Sequence, residues 1–321
     1  MNNNDLNTGK TFDVIVVGEL NVDLILNQIE KFPVIGKEVL ADRMTLTMGS
    51  SSAIFACNLS TLGSRTCFCG KLGMDDFGNH VIAGLKSHGV DTSNVAQTID
   101  LATGATIVLN FGEERAMVTH QGAMAHLGLE DVPEKTLSQC KHLHVSSVFL
   151  QRKLKKDIIK LFAKAKSLGL TTSLDPQWDP AEKWDIDFNA LLSHVDVFMP
   201  NEKEIEEITG SKQLEEAVRY LSTANLIVIK KGSEGACLWN GNEFVDQPSF
   251  LNHEVVDSIG AGDSFNAGFI HKFVQQRPEK ECLEFAALIG AISTTCAGGT
   301  EAFKDINTVK KIARAGFNYN F

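Results

Sequence analysis

Gly260-Ala261-Gly262-Asp263 combines residue types suited to phosphate chemistry. It stands between a β-rich run ending at Val256 and a segment of helical period. There Phe265, Phe269 and Phe273 recur at i, i+4 and i+8, and Ile270 and Val274 widen the stripe. Two glycines let a backbone turn sharply and approach a ligand. The first amides of the helix that follows point outward unpaired, with the positive end of the helix dipole behind them, which suits a phosphate. A carboxylate placed there stays ionised and can take the proton of an attacking hydroxyl. The amides would meanwhile stabilise charge on the transferred phosphoryl group. Taken alone, the same residues equally describe a glycine turn with a helix cap, so the chemistry needs partners elsewhere.

Other nucleotide motifs are incomplete. Gly73-Met-Asp-Asp-Phe-Gly78 has P-loop glycine spacing, but Asn79-His80 stand where Lys-Ser/Thr is needed. Gly260-x-Gly262 lacks the third glycine of the dinucleotide fingerprint, because Phe265 occupies it, which disfavours a nicotinamide dehydrogenase. His142 and His144 are spaced for one strand face but have no third ligand nearby. They are read as residues on the polar side of a strand.

The elements that must position these residues alternate. Strands are predicted at 12–18, 142–149, 171–174, 195–199 and 226–229, and helices at 51–62, 155–168 and 202–209. This pattern predicts an α/β fold, doubly wound, with a mostly parallel sheet and helices on both faces. Segments 36–48 and 103–120 have strand composition without helices between them, and 106–111 and 115–119 read as a hairpin. They predict a small antiparallel β-sheet lid on one main domain, 11–321, preceded by a polar, frayed segment, 1–10.

Composition bounds the partners. The 321 residues are 43% hydrophobic and 22% charged, enough apolar material for a large core. The net charge of −10 argues against nucleic acid, and no run approaches the ~20 apolar residues of a membrane span. Seven cysteines without a C-x-x-C pair read as reduced thiols, hence a cytoplasmic protein.

The stretch 257–268, Asp-Ser-Ile-Gly-Ala-Gly-Asp-Ser-Phe-Asn-Ala-Gly, resembles the C-terminal signature of the ribokinase-like (PfkB) carbohydrate kinases. Ordered matches continue over nearly the whole chain: 17–23, Met48-Gly49-Ser50-Ser51-Ser52-Ala53 with Leu62-Gly63, 70–78, 122–125, Asn201-Glu-Lys-Glu204 and 230–235. The resemblance implies a kinase using ATP and Mg²⁺, with Asp263 as base and Gly260, Ala261 and Gly262 as anion hole. It implies substrate binding by Asp23, Asn21, Gly49, Ser50 and Ser51, and nucleotide binding by Asn201, Lys231, Gly232, Gly235 and Gly299. Asn201 and Glu204 would organise Mg²⁺ through water, and carbonyls around Asp257 and Ile259 would hold K⁺. Three positions depart from the pattern. Gly49-Ser50 stands where the N-terminal signature has a double glycine, and Ile54 replaces an Asn that binds a hydroxyl. Asp175-Pro-Gln-Trp-Asp179 resembles the D-P-N-x-R segment of the 2-keto-3-deoxygluconate kinase branch, with Asp179 in place of the Arg that meets a substrate carboxylate, so an acid there is expected to repel a sugar acid. A nucleoside kinase, with Phe55, Phe111, Phe149 and Trp178 available for a base, and a non-catalytic sugar-sensing protein stay open. An exposed lid sheet further implies a homodimer through the lids.

Overall fold

A computed structural model describes residues 9–111, 114–221 and 223–321. The strands are β1 (Phe12–Val17), β2 (Asn21–Ile29), β3 (Ala41–Met48), β4 (Thr66–Gly73), β5 (Asp91–Thr98), β6 (Gly104–Phe111), β7 (Glu114–His120), β8 (Cys140–Ser146), β9 (Thr171–Asp175), β10 (Val197–Phe198), β11 (Leu226–Lys230), β12 (Ala236–Trp239) and β13 (Phe244–Gln247). The main sheet runs β13-β12-β11-β10-β9-β8-β1-β4-β5. It is parallel except where β12 and β13 are added antiparallel at one edge.

β1 shows why this sheet has two covered faces. Val14, Ile15, Val16 and Val17 are all fully buried. Ile15 and Val17 join the apolar layer that holds helix Ile158–Ser167, while Val14 and Val16 join the layer that holds helices Ser51–Thr61 and Ala261–Phe273. A strand buried on both faces reads as a continuous Val/Ile run. Strand order reverses at β1, whose neighbours are β8 and β4, so the crevice of an open α/β sheet opens at the carboxyl ends of these strands.

The lid is a four-stranded sheet in the order β3-β2-β6-β7. It departs from the predicted antiparallel pair of segments in one respect. β2 lies at its centre, pairing antiparallel with β3 and parallel with β6. Its period of two explains the placement: Asp23 and Ile25 alternate with Leu24 and Leu26 along a strand that continues past the Asp23 carboxylate. The β6–β7 hairpin forms as expected, although its predicted turn at 112–113 lies outside the described residues. Most of the predicted frayed segment, residues 1–8, also lies outside them.

Two other expectations are corrected. The run ending at Val256 is not a strand: β13 ends at Gln247 before Pro248, and Val255 and Val256 are about 60% exposed. His142 and His144 are not on a polar, solvated side but fully buried. Ser173 Oγ lies 2.7 Å from both His142 Nε2 and His144 Nδ1, and His144 stacks on Phe55. Burial holds both imidazoles well below their ordinary pKa, so they are neutral core groups.

Candidate active site

Helix Ala261–Phe273 begins after Gly260, whose φ of 73° is the left-handed region that favours glycine. A Cβ at Gly260 would stand 2.6 Å from the Cα of Gly299, so the two glycine loops touch backbone to backbone. Asp257 ties them together: its carboxyl accepts the amides of Ile259 at 2.9 Å and Gly298 at 2.9 Å. Ile54 packs under both glycines and is buried, so its side chain seats the Gly260 loop besides lining the cavity.

Asp263 sits in the first turn of that helix, buried, with a second carboxylate beyond it. Asp175 ends β9 and is fully buried. It accepts Lys230 Nζ at 2.7 Å, Gln177 Nε2 at 3.1 Å and Asn266 Nδ2. The same Gln177 amide reaches Asp263 Oδ1 at 3.1 Å, which bridges the two acids. Gln177 holds this position at a φ of 56°, a left-handed conformation that costs a non-glycine residue about 1 kcal/mol or more. Burial first, then the charge of Asp175, pushes Asp263 up to about 7, and Lys230 works against that rise. Burial opposes the charge of Lys230 itself, but Asp175 and Glu204 outweigh it and raise its pKa.

Glu204 belongs to a capping box on helix Glu202–Thr209. The Asn201 amide donates to Glu204 Oε2 at 2.9 Å, and the Glu204 amide donates to Asn201 Oδ1 at 2.8 Å. Burial and then Asp175 push the Glu204 carboxyl up to about 7.

The substrate side is built where β1 leads into β2. Asn21 Nδ2 donates to Asp23 Oδ1 and to Thr106 Oγ1, each at 3.0 Å. Burial raises Asp23 to about 6 against these bonds. Gly49 is required by closeness, since a Cβ there would lie 2.2 Å from Asp23 Oδ1. Ser50 adopts a φ of 76° and a ψ of 117°, a backbone that favours glycine. Its hydroxyl offsets the strain by donating to the Glu19 carbonyl at 2.6 Å while accepting the Ala53 amide at 2.9 Å. The buried Glu19 carboxyl then accepts the Ser52 amide at 3.1 Å and the Ser52 hydroxyl, and the latter lies 2.7 Å from Ser146 Oγ.

A cavity of about 1280 Å³ joins these parts. Asn21, Asp23, Ser50, Ser51, Asn201, Glu204, Gly232, Ile259, Gly260, Gly262 and Asp263 line it. Gly49, Ala261, Lys231, Gly235, Asp257 and Gly299 are not on its walls. Lys231 turns away, 3.9 Å from Asp246, while its neighbour Lys230 faces the cavity. Gly235, at a φ of 102°, lies against the backbone of Gln247, and the Gly299 carbonyl accepts Asn58 Nδ2 at 3.0 Å. Asp179 is not on the wall of this cavity, although Trp178 and Pro180 are: it is buried, and its oxygens accept the amides of Ala181, Lys183 and Trp184, so it caps its own loop. Glu19, Asp175 and Gln177 were not singled out as site residues from the sequence. The signal for the last two is an Asp-Pro-Gln closing a predicted strand.

The family model described as pfkB family carbohydrate kinase matches residues 11–306. The ATP-dependent 6-phosphofructokinase of Thermoanaerobacterium thermosaccharolyticum is 26% identical over 311 residues, covering 94% of this chain and 94% of that protein. The 5-dehydro-2-deoxygluconokinase of Geobacillus kaustophilus is 26% identical over 325 residues, covering 94% and 93%. The structure of Arabidopsis thaliana ribokinase complexed with ribose and ATP has the same fold, with a TM-score of 0.80 at 23% identity, covering 94% and 98%.

Proposed function

From the premise that the chain belongs to the pfkB family of carbohydrate kinases, we propose that Asp263 is the base that carries ATP-dependent phosphorylation of a small sugar held between sheet and lid. The carrying observation is that Asp263, the glycine loop before it and Asp23 line one cavity. Asp23 and Asn21 hold substrate hydroxyls and bring one of them to Asp263. Asp263 takes its proton as the oxygen attacks the terminal phosphoryl group of ATP, and the amides of Gly260 and Gly262, the two loop residues on the cavity wall, meet the developing charge, whereas the Ala261 amide donates to the Ser258 carbonyl. Lys230 and Gly232 line the nucleotide half. Glu204 and Asn201, already bonded to each other's backbone, orient hydrated Mg²⁺, an ion that keeps its waters. Carbonyls around Asp257 and Ile259, in the loop pinned by the Asp257 carboxyl, are the site for K⁺.

A sugar fits better than a nucleoside. Phe55 is stacked on His144, Phe149 is packed against Trp184 and Phe111 against Phe32. Of the four aromatics considered for a base, only Trp178 is on the cavity wall. The intact Asp263–Gln177–Asp175–Lys230 cluster favours turnover over a sensing role. The lid's outer face supports a two-fold dimer. Leu46, Leu24, Ile107 and Val118 form one row across its four strands, and Val118 is 66% exposed. A monomeric mass by light scattering at micromolar concentration would contradict the dimer. No helix among the described residues is long and apolar enough to cross a membrane. All seven cysteines are free and six are buried, in keeping with a reducing cytoplasm. The function is tested by measuring ADP release from MgATP across a panel of sugars. Sugar-dependent release is expected, and none with any sugar would contradict the proposal.

A further inference from the structure

We infer that the sugar half of the cavity is built for a substrate bearing an anionic group, a phosphate or a carboxylate, remote from the hydroxyl that is phosphorylated. Arg152 is its main partner, and Arg115 faces it from the lid. The inference rests on the kinase reading above and deepens it.

Topology assigns the two halves. Asn201 and Lys230 come from the ends of β10 and β11, on one side of the cavity. Asn21 and Asp23 follow β1, and Arg152 follows β8, which is hydrogen-bonded to β1. Arg152 opens the short helix Arg152–Lys155, which packs on the turn Gly122–His126 at the base of the lid. Arg115 is placed by strand alternation. On β6 and β7, Thr106 opposes Thr119 and Val108 opposes Met117, and all four line the cavity. Arg115 precedes Met117 by two residues, shares that face and lines the same cavity.

The chain carries a net charge of −10, and of the cations beside Arg152, Lys153 pairs with Glu130 and Lys155 with Asp185, while Lys156 has no ion pair among the described residues. Arg115 and Arg152 form no ion pair among the described residues. The acids on their side of the cavity are the buried Glu19, whose carboxyl is held by Ser52, Asp23, whose carboxyl is held by Asn21, and Asp100. Asp179, the acid expected to repel an anion, lines the adjoining cavity with Arg152 and is held there by three backbone amides. Both arginines are exposed where they line the cavity, and two guanidinium forks converging there match phosphate and carboxylate geometry.

The test uses the full chain with MgATP and four acceptors: fructose 6-phosphate, gluconate, fructose and ribose. ADP release and calorimetric binding are both measured, for the parent, Arg152→Ala, Arg152→Lys and Arg115→Ala. One of the two anionic acceptors is expected to exceed both neutral sugars in kcat/KM. Arg152→Ala is expected to lower its kcat/KM about ten- to hundredfold, mostly through KM, with partial recovery in Arg152→Lys. Whether the phosphate or the carboxylate is preferred separates the two anion types. A neutral sugar as the best acceptor, or an Arg152→Ala loss equal for neutral and anionic acceptors, overturns the inference and leaves the kinase standing. If no acceptor is phosphorylated, binding decides. Anionic acceptors that bind, and bind more weakly to Arg152→Ala, uphold the subsite while the kinase reading falls. Anionic acceptors that bind no better than fructose overturn the inference.

Discussion

Replacing Lys230 by Met keeps the unbranched stem of the side chain and removes its terminal charge from a buried pair. The Lys230 side chain is 12% exposed and that of its partner Asp175 is fully buried, at 2.7 Å. Removing one partner of a buried pair costs about 3–5 kcal/mol, because the other charge is left uncompensated. Asp175 keeps the donors Gln177 and Asn266, so the lower end, about 3 kcal/mol, applies. With an unfolding entropy of about 2.1 cal/mol/K per residue, the 321-residue chain loses roughly 1.5 °C per kcal/mol. The expected fall in Tm is therefore about 5 °C. Lys230 also works against the raised pKa of Asp263, so its loss shifts the acid limb of the kcat/KM–pH profile to higher pH. The control is Lys231→Met, which removes a longer contact of 3.9 Å to the exposed Asp246. It should cost under about 1 kcal/mol and leave the limb in place. Scanning fluorimetry and an ADP-coupled assay from acid to alkaline pH read both effects. Equal behaviour of the two variants, or an unmoved Tm in Lys230→Met, would refute the reasoning.

Four further outcomes are expected. The base must be unprotonated and Asp263 is raised from 3.8 to about 7, so kcat/KM should climb about tenfold per pH unit below 7 and then level off; a profile flat from pH 5 to 8 contradicts this. The same shift means that folding takes up a proton at Asp263 between pH 4 and 7, so this group's contribution to apo-protein stability falls as pH rises through that window, as a melting series would record. Glu19→Gln removes a charge that raises Asp263 and should move the acid limb to lower pH, opposite to Lys230→Met; a shift in the same direction would count against the electrostatic account. Ser50→Ala loses the hydroxyl but keeps a Cβ at a φ of 76°, and should cost about 1–2 kcal/mol, whereas Ser50→Gly relieves the strain and should cost less; equal losses in denaturant titration would contradict the strain argument.

The parts of the site legible in the sequence were those encoded locally. Helix Glu202–Thr209 starts and stops where its capping pair, Asn201 with Glu204, and its terminal Gly210 place it. The helix after Gly260 follows from the phenylalanine period. Parity and long-range pairing were harder to read. Lys230 and Lys231 are adjacent, and only the register of β11, which ends at Lys230 beside an Asn201 bridge, turns one toward Asp175 and the other toward Asp246. β2 continues past Asp23 as an inner strand of the lid, and its parallel partner β6 lies far along the chain, where no local pattern announces the pairing. Asp179 was expected to face a substrate because it stands where the resemblance places an Arg that meets a substrate carboxylate. Its carboxyl is claimed by amides two to five residues onward, a local turn that outcompetes the cavity. Gln177 carried no signal of its own: its role depends on Asp263, 86 residues away in sequence.

The central claim is that the Asp263 carboxylate takes the proton of the attacking hydroxyl inside an amide-lined phosphate site. Asp263→Asn keeps the side chain's shape and hydrogen bonding to Gln177 within reach while removing its basicity. Sugar-dependent ADP release by this variant should fall by about 10²–10⁴, with MgATP affinity by calorimetry within a few-fold of the parent. Turnover near the parental rate would contradict the account.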